Sequence, residues 1–386
     1  PILRNYRIIS LAYTRELVWD QPLSKPGANI ALIPYALART SADYLAGTEP
    51  QSGFDGGGDA KVAVGPALNL DLTVNPDFSQ VEVDQQVTNL DRFELFFPER
   101  RQFFLENADL FSNFGYRTIR PFFSRRIGLK VPIVAGARLS GNLDENWRVG
   151  LMNIQTKADE LQGLGAENYG VISLQRKVQE RSNINFLLVN KEAPNTDASV
   201  SERYHRNAGI EYNYFSENNQ YNGKVMALRS INPDPAKTGT VIASHLEHQS
   251  IRWIWRIQQE YVSNTFSADV GFVPRTNYHK FEGSLGHLVY TASKTNPLLS
   301  HGPSYTRTYF FDLDWQKTDQ VDTFSYIFNF QDRSRFIVAG ARSAIDLLSD
   351  FDPLRNGISE LKAGTSHEWT NLRLSYDSKP QNLFTY

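Results

Sequence analysis

The sequence predicts an all-β chain, folded as a transmembrane antiparallel up-and-down β-barrel of about 16 strands with an internal plug-like segment. Three observations carry that expectation. Side chains alternate between apolar and polar with a period of two almost everywhere after Lys130. Short polar breaks and longer polar stretches take turns between the alternating segments. The apolar positions of those segments are rich in Tyr, Trp and Phe, which make up 12% of the chain although hydrophobic residues together reach only 41%. Many rings at low hydropathy are poor material for a helical core and ordinary for a large β protein.

Composition removes several function classes. The 386 residues carry 40 Lys and Arg against 42 Asp and Glu, a formal charge of -2, so there is no basic excess to suit a nucleic-acid partner. Cysteine is absent, which excludes disulfides, Cys-ligated zinc, iron–sulfur clusters and thiol nucleophiles together. No run approaches the ~18 consecutive apolar residues of a membrane helix. The chain starts at Pro1 with no signal peptide ahead of it, which reads as a processed or excerpted sequence.

Residues 1–28 read as a mixed lead-in segment, and residues 29–386 as the barrel, with 75–130 lying inside it. A first strand is expected near residues 29–38. Residues 51–59, with Gly56-Gly57-Gly58, are expected to form a flexible loop and not a phosphate cradle. Roughly 15 alternating segments follow from Lys61 onward. Residues 75–130 break the pattern with dense charge and rings, including Phe96-Phe97-Pro98-Glu99-Arg100-Arg101-Gln102-Phe103-Phe104. Beyond them, Ala208, Ile210, Tyr212 and Tyr214 oppose Gly209, Glu211 and Asn213. Residues 141–146, 179–182 and 216–219 are tight polar turns; 157–168, 191–203 and 231–239 are longer loops, as on the two rims of a membrane barrel. No repeat of fixed period appears, which argues against a propeller or solenoid.

A soluble sandwich also alternates, but its inner faces favour compact aliphatic side chains that pack closely. Here Trp253 and Trp255 oppose Arg252 and Arg256, and Tyr309 and Trp315 oppose Asp312 and Asp314. Phe324, Tyr326 and Phe328 oppose Thr323, Ser325 and Asn329. Rings with polar tips suit a membrane interface, and ionisable groups suit a hydrated lumen. Trp253, Trp255, Tyr309, Trp315, Phe324, Tyr326 and Phe328 are therefore expected to face lipid, and Arg252, Arg256, Asp312 and Asp314 the lumen.

Three blocks occur in order: Asn75-Pro76-Asp77-Phe78-Ser79-Gln80-Val81-Glu82-Val83-Asp84, Phe97-Pro98-Glu99-Arg100-Arg101-Gln102-Phe103-Phe104-Leu105-Glu106 and Phe123-Ser124-Arg125-Arg126-Ile127-Gly128. A later block is Val270-Gly271-Phe272-Val273-Pro274-Arg275. Together they resemble the signature of a Gram-negative outer-membrane barrel family of unknown function, whose members often carry a carbohydrate-binding family-nine-like domain ahead of the barrel. The resemblance covers roughly residues 30–290 and implies location and fold, not a reaction. No such domain precedes Pro1, so its sugar-binding role does not transfer to these residues.

Reactive chemistry finds little support. His245 and His248 are three apart, on opposite faces of a strand, and so are not expected to share a metal. Asp77, Glu82 and Asp84 invite a calcium reading but lack the spacing of an EF-hand loop; pairing with the following arginines is the expected role. No nucleophile-elbow pattern selects a serine. No catalytic, cofactor or metal residues are therefore assigned. Glu99, Arg100, Arg101, Arg125 and Arg126 are the candidates for a plug whose charges pair with wall residues such as Glu211 and Arg256, since arginine's planar fork suits carboxylates and rings. The expected function is porin-like passage of a polar solute in the cell outer membrane, with lipid and perhaps other envelope proteins as partners. A structural or interaction subunit of an outer-membrane complex, anchoring a periplasmic or surface domain, and a barrel-embedded ester or lipid hydrolase are the alternatives.

Overall fold

The computed structural model describes residues 18–20, 29–42, 47, 49–78, 83–129, 131–159, 164–193, 203–293, 295–358 and 360–378. Nearly all of the expected lead-in and Glu82 lie outside the described residues. Seventeen strands form one sheet. They are β1 (Ile30–Ser41), β2 (Gln51–Val64), β3 (Leu68–Val74), β4 (Ile133–Asn142), β5 (Trp147–Thr156), β6 (Asn168–Val178), β7 (Ser182–Glu192), β8 (Tyr204–Phe215) and β9 (Tyr221–Ile231). Then follow β10 (Thr240–Gln249), β11 (Trp253–Val262), β12 (Tyr278–His287), β13 (Val289–Tyr290), β14 (Leu298–Phe311), β15 (Lys317–Phe330), β16 (Arg335–Asp346) and β17 (Ser366–Asp377).

Each strand pairs antiparallel with the next, except that β12 and β13 both lie on β14. Those two are one ribbon interrupted at Leu288, whose amide reaches Arg252 O at 2.7 Å. Counted as one, the seventeen strands make sixteen ribbons. Among the described residues no ladder joins β1 to β17, so the sheet is an open meander. Tight turns at residues 65–67, 143–146, 179–181, 216–220 and 250–252 share one rim. Residues 75–132, 157–167, 193–203, 232–239 and 263–277 leave from the other.

The glycine run corrects the expectation of a loop. Gly56, Gly57 and Gly58 lie within β2 and pair with Ala36, Tyr35 and Pro34. Lacking a side chain, Gly57 lets the Tyr35 ring lie over it while the phenol reaches the Asn75 carbonyl. A ring covering a strand glycine restores the packing that glycine forfeits, so the turn-like composition misleads.

Cross-strand partners share a face, and the registers carry one face through the sheet. Asp71, Arg138, Met152, Val171, Val189 and Asn207 are successive partners on β3 to β8. Leu228, Val241, Val262 and Tyr278 continue that face on β9 to β12. It is the buried face. The segment after β3 covers it, with two short helices, α1 (Gln102–Leu105) and α2 (Asp109–Ser112), and a 3-10 turn at Ser124–Arg126. Phe104, Phe111, Phe114, Ile119, Phe122 and Ile127 of the segment join Met152, Ile154, Val171, Leu187, Val189, Leu228 and Val241 in one core. Each phenyl ring so buried stabilises by about 1.5–3 kcal/mol. This one segment pairs Glu106 with Lys61 on β2 and Arg92 with Asp319 on β15. A flat sheet would hold those strands about 60 Å apart, so the sheet curls around the segment.

The wall makes room for the rings with glycine. A Cβ on Gly150 would stand 2.7 Å from the Phe111 ring, and one on Gly209 2.8 Å from Phe114. Gly150→Val should therefore destabilise the protein by about 1–3 kcal/mol through overpacking. Gly283→Val, where a Cβ meets nothing within 4 Å, should leave the urea midpoint unchanged. Equal midpoints for the two variants would contradict this packing.

Candidate functional site: the segment held inside the sheet

The inner segment is tied first to itself. Glu99 Oε1 accepts from the amides of Arg100 and Arg101 at 2.9 and 2.8 Å and from Arg101 Nε at 2.9 Å. Its Oε2 accepts from Arg101 Nη2 at 2.7 Å and from the Ser124 hydroxyl at 2.6 Å. The same guanidinium caps the carbonyls of Ile127 and Ser124 at 2.8 and 2.6 Å and lies over the Phe104 ring. Arg125 grips Asp84 through both nitrogens and donates to Pro98 O at 2.9 Å, and Arg100 Nε stands 3.3 Å from Asp84. Arg126 pairs with Glu94 and donates to Gly271 O at 3.0 Å.

The 263–277 loop closes this knot. Arg120 and Phe272 exchange backbone hydrogen bonds at 3.0 and 2.8 Å, and Phe123 N donates to Val270 O at 2.6 Å. The rings of Phe96, Phe123 and Phe272 meet with centroids 5.0–5.9 Å apart. Arg275 donates to Asp319 at 2.7 Å, beside Arg92 on the same carboxylate. The four sequence blocks thus recognise one another, which is why such distant stretches share a distinctive composition.

The wall then clamps the segment at defined points. Arg138, 1% exposed, holds Asp71 at 2.7 and 3.1 Å and donates to the Phe103 carbonyl. Glu211, also 1% exposed, accepts from Gly115 N at 2.9 Å, Lys224 Nζ at 2.9 Å, Asn185 at 2.9 Å and Asn213 at 3.0 Å. Lys224 returns to Gly115 O at 2.8 Å, so one ion pair holds both backbone groups of a single residue. That residue has φ +94°, and a Cβ there would strike Ile119 O; only glycine fits. Ser173 donates to Leu110 O at 2.5 Å, Asn107 to Ser140 at 3.0 Å, and Arg148 pairs with Asp109 at 2.8 Å. These contacts hold and position; a hydroxyl meets an imidazole only beside them, Ser267 Oγ at 2.8 Å from His205 Nε2, and no group of three or more metal-ligating side chains is gathered among the described residues.

The expected residues fall as follows. Glu99, Arg100, Arg101, Arg125 and Arg126 are in the segment, but they pair within the knot and not with Glu211 or Arg256. Arg256 lies on the inner face and pairs with Glu247 at 3.5 Å. Trp253, Trp255, Tyr309, Phe324, Tyr326 and Phe328 lie on the opposite, outer face of their strands. Arg252, Asp312 and Asp314 are not on a strand face. Arg252 is exposed in the turn before β11, and Asp312 accepts the Asp314 and Gln316 amides at 3.0 and 2.8 Å. The alternation through 309–316 ends at Phe311 because the Asp312 carboxylate, taking those two amides, closes a turn; Trp315, at φ +62°, stacks on His279. His245 and His248 do point to opposite faces, towards Tyr116 and Tyr221. Arg138, Asp71, Lys224 and Asp319 escaped the sequence reading. The signal was faint: each is a charge on the inner side of a strand, and only register tells which charges meet.

Charge chemistry favours the latched state at neutral pH. Burial pushes the Glu99 carboxyl up, but Arg101 and Ser124 outweigh it and hold it below the usual carboxylate range. The Arg125 fork holds Asp84 low, and Lys61 does so for Glu106. Burial pushes the Tyr116 phenol well up, with Glu260 and Glu211 adding to it, so it stays neutral.

The family model described as a domain of unknown function (DUF5916) matches residues 26–149 and 130–352. That is most of the chain, and the chain belongs to this family. None of the curated proteins matches it.

Two outcomes test the latch. Carboxyls held low contribute stability above their unfolded pKa of about 4 and lose it as pH falls through the folded value. Pepsin should therefore spare residues 83–129 at about pH 4 and cut them on further acidification; cleavage already near pH 5 would count against the ion pairs. Separately, Asp71→Ala takes from the buried Arg138 guanidinium its close partner and leaves it Glu106 at 3.6 Å, which should cost about 3–5 kcal/mol in urea unfolding, whereas Asp71→Leu with Arg138→Met should recover most of it.

Proposed function

We propose that this family member is an outer-membrane β-barrel that passes a polar solute through a partly filled lumen without chemistry on it. In this reading β1 and β17 meet to close the sheet, the outer face lies in lipid, and the inner segment is the plug. Sixteen alternating ribbons make the first and last antiparallel, so closure needs no parallel pair.

The observation that carries the reading is the outer face, which is apolar between two bands of rings. Towards the tight-turn rim stand Tyr221, Trp253, Trp255, Tyr326 and Phe328, with Tyr221 and Trp255 against His248. Towards the other stand Tyr261, Phe281, Tyr309, Phe311 and Trp315. Between them Val225, Ile242, Ile257, Leu285 and Phe324 are exposed, Ile257 at 62%. So large an exposed apolar surface is a liability in water and the normal lipid face of a barrel. From Trp253 to Tyr261 the strand runs about 26 Å, or about 20 Å of bilayer at a tilt of about 40°. On β14–β17 two opposite-charge pairs on this face neutralise each other, Arg342 with Glu368 at 2.8 Å and Arg307 with Asp322.

Support for passage comes from the inner face of the last strands, beyond the dry core. Ser304, Thr306, Thr308, Thr323, Ser325, Ala339 and Ala341 share that face by register and are half-buried. These small side chains, five of them hydroxyl-bearing, make a polar strip on which Thr308 donates to Glu282 at 3.2 Å. The packing of the plug itself favours a second reading, an anchoring or complex-forming subunit with a closed lumen, because a core that dry resists displacement.

Protein reconstituted with brominated lipids should show strong quenching of Trp253 and Trp255 fluorescence, while a bimane on Arg256→Cys stays unquenched. Similar quenching at all three would remove the lipid-facing assignment. Deleting residues 92–116 from a protein that still folds should raise single-channel conductance in planar bilayers. Unchanged conductance, with partner proteins co-purifying, would put the subunit reading ahead.

A further inference from the structure

A recess of about 760 Å³ opens between β1, β2 and the inner segment, bounded by Ile33, Tyr35, Asp59, Phe78 and Phe103 among others. Its size falls within the range of about 300–1,000 Å³ typical of small-molecule sites. Most of its charges are already spent. Glu99 is held by Arg101 and Ser124, and Arg100 stands against Asp84. Asp59 differs. One of its carboxylate oxygens is shielded from solvent and has no hydrogen-bond partner. Directly across the ladder is Thr73, 2% exposed, whose hydroxyl is also unpartnered. A buried carboxylate oxygen without a donor is rare in folded proteins and costly.

We infer that the recess between the first two strands and the inner segment binds an organic cation, an ammonium on a small apolar body, with Asp59 as its counter-ion. The rings do not compete for the charge, since Arg101 lies 5.2 Å from the Phe78 centroid and Arg138 5.3 Å from that of Phe103. The ammonium therefore goes to Asp59 and the body lies along Ile33, Tyr35 and Phe103. This rests on the recess alone and survives if the lipid-facing assignment fails.

Three probes of one size separate charge from shape: tyramine, tyrosol and 4-hydroxyphenylacetate, titrated calorimetrically into the detergent-solubilised full chain. Tyramine should bind saturably and about tenfold tighter than tyrosol, and 4-hydroxyphenylacetate should not bind. Asp59→Asn, which keeps the shape, should erase the preference for the amine. Equal binding of tyramine and tyrosol, saturable binding of the carboxylate, or no tyramine binding at millimolar concentration would each overturn the proposal, the last meaning that only water fills the recess. The comparison among probes on the unmodified protein decides the matter even if the variant does not fold.

Discussion

From β3 to β12 the inner wall of the sheet presents Met152, Ile154, Val171, Leu187, Val189, Leu228, Val241 and Val262, and these side chains must be kept from water. The stretch between β3 and β4 covers most of them, and Phe266 and Val270 of the 263–277 loop complete the cover. That requirement shapes much of the rest. It places phenylalanines on the segment, sets glycines under them at Gly150 and Gly209, and demands that every polar group entering the dry zone bring a partner. The Glu211–Lys224 pair meets that demand by satisfying both backbone groups of Gly115 while each ion neutralises the other.

The charged groups divide by depth. Those of the knot pair within the segment, Glu99 with Arg101 and Asp84 with Arg125. Those of the wall pair across strands or reach one atom of the segment, as Arg138 does with Asp71 and the Phe103 carbonyl. The segment is therefore held together by its own contacts and latched to the wall at a few points. A latched element of this type can be released piecewise, which connects the packing to gating in the transport reading. In the subunit reading the same packing makes a rigid, filled pillar. The difference between the two is energetic, and lies in how much of the dry core is lost when the segment moves.

Alternation with a period of two was enough to establish an all-β antiparallel meander of about sixteen strands, against the seventeen found, and the tight and long connections as far as β10, because the faces of a strand and the needs of a turn are local properties. The same local logic identified residues 75–130 as something other than strand, and placed Trp253, Trp255, Tyr309, Phe324, Tyr326 and Phe328 on one face against Arg256 on the other. It failed where a local pattern has two physical meanings. Gly56-Gly57-Gly58 reads as a loop until Tyr35 is seen lying over the strand, and Asp312 to Asp314 reads as strand until the amide bonds of the turn are seen. Which charges meet was decided only in three dimensions. Asp71 and Arg138 are distant in sequence, and nothing short of the β3–β4 register and the approach of the inner segment makes them partners. Pairing of that kind depends on the summed geometry of many strands, and no window of sequence contains it.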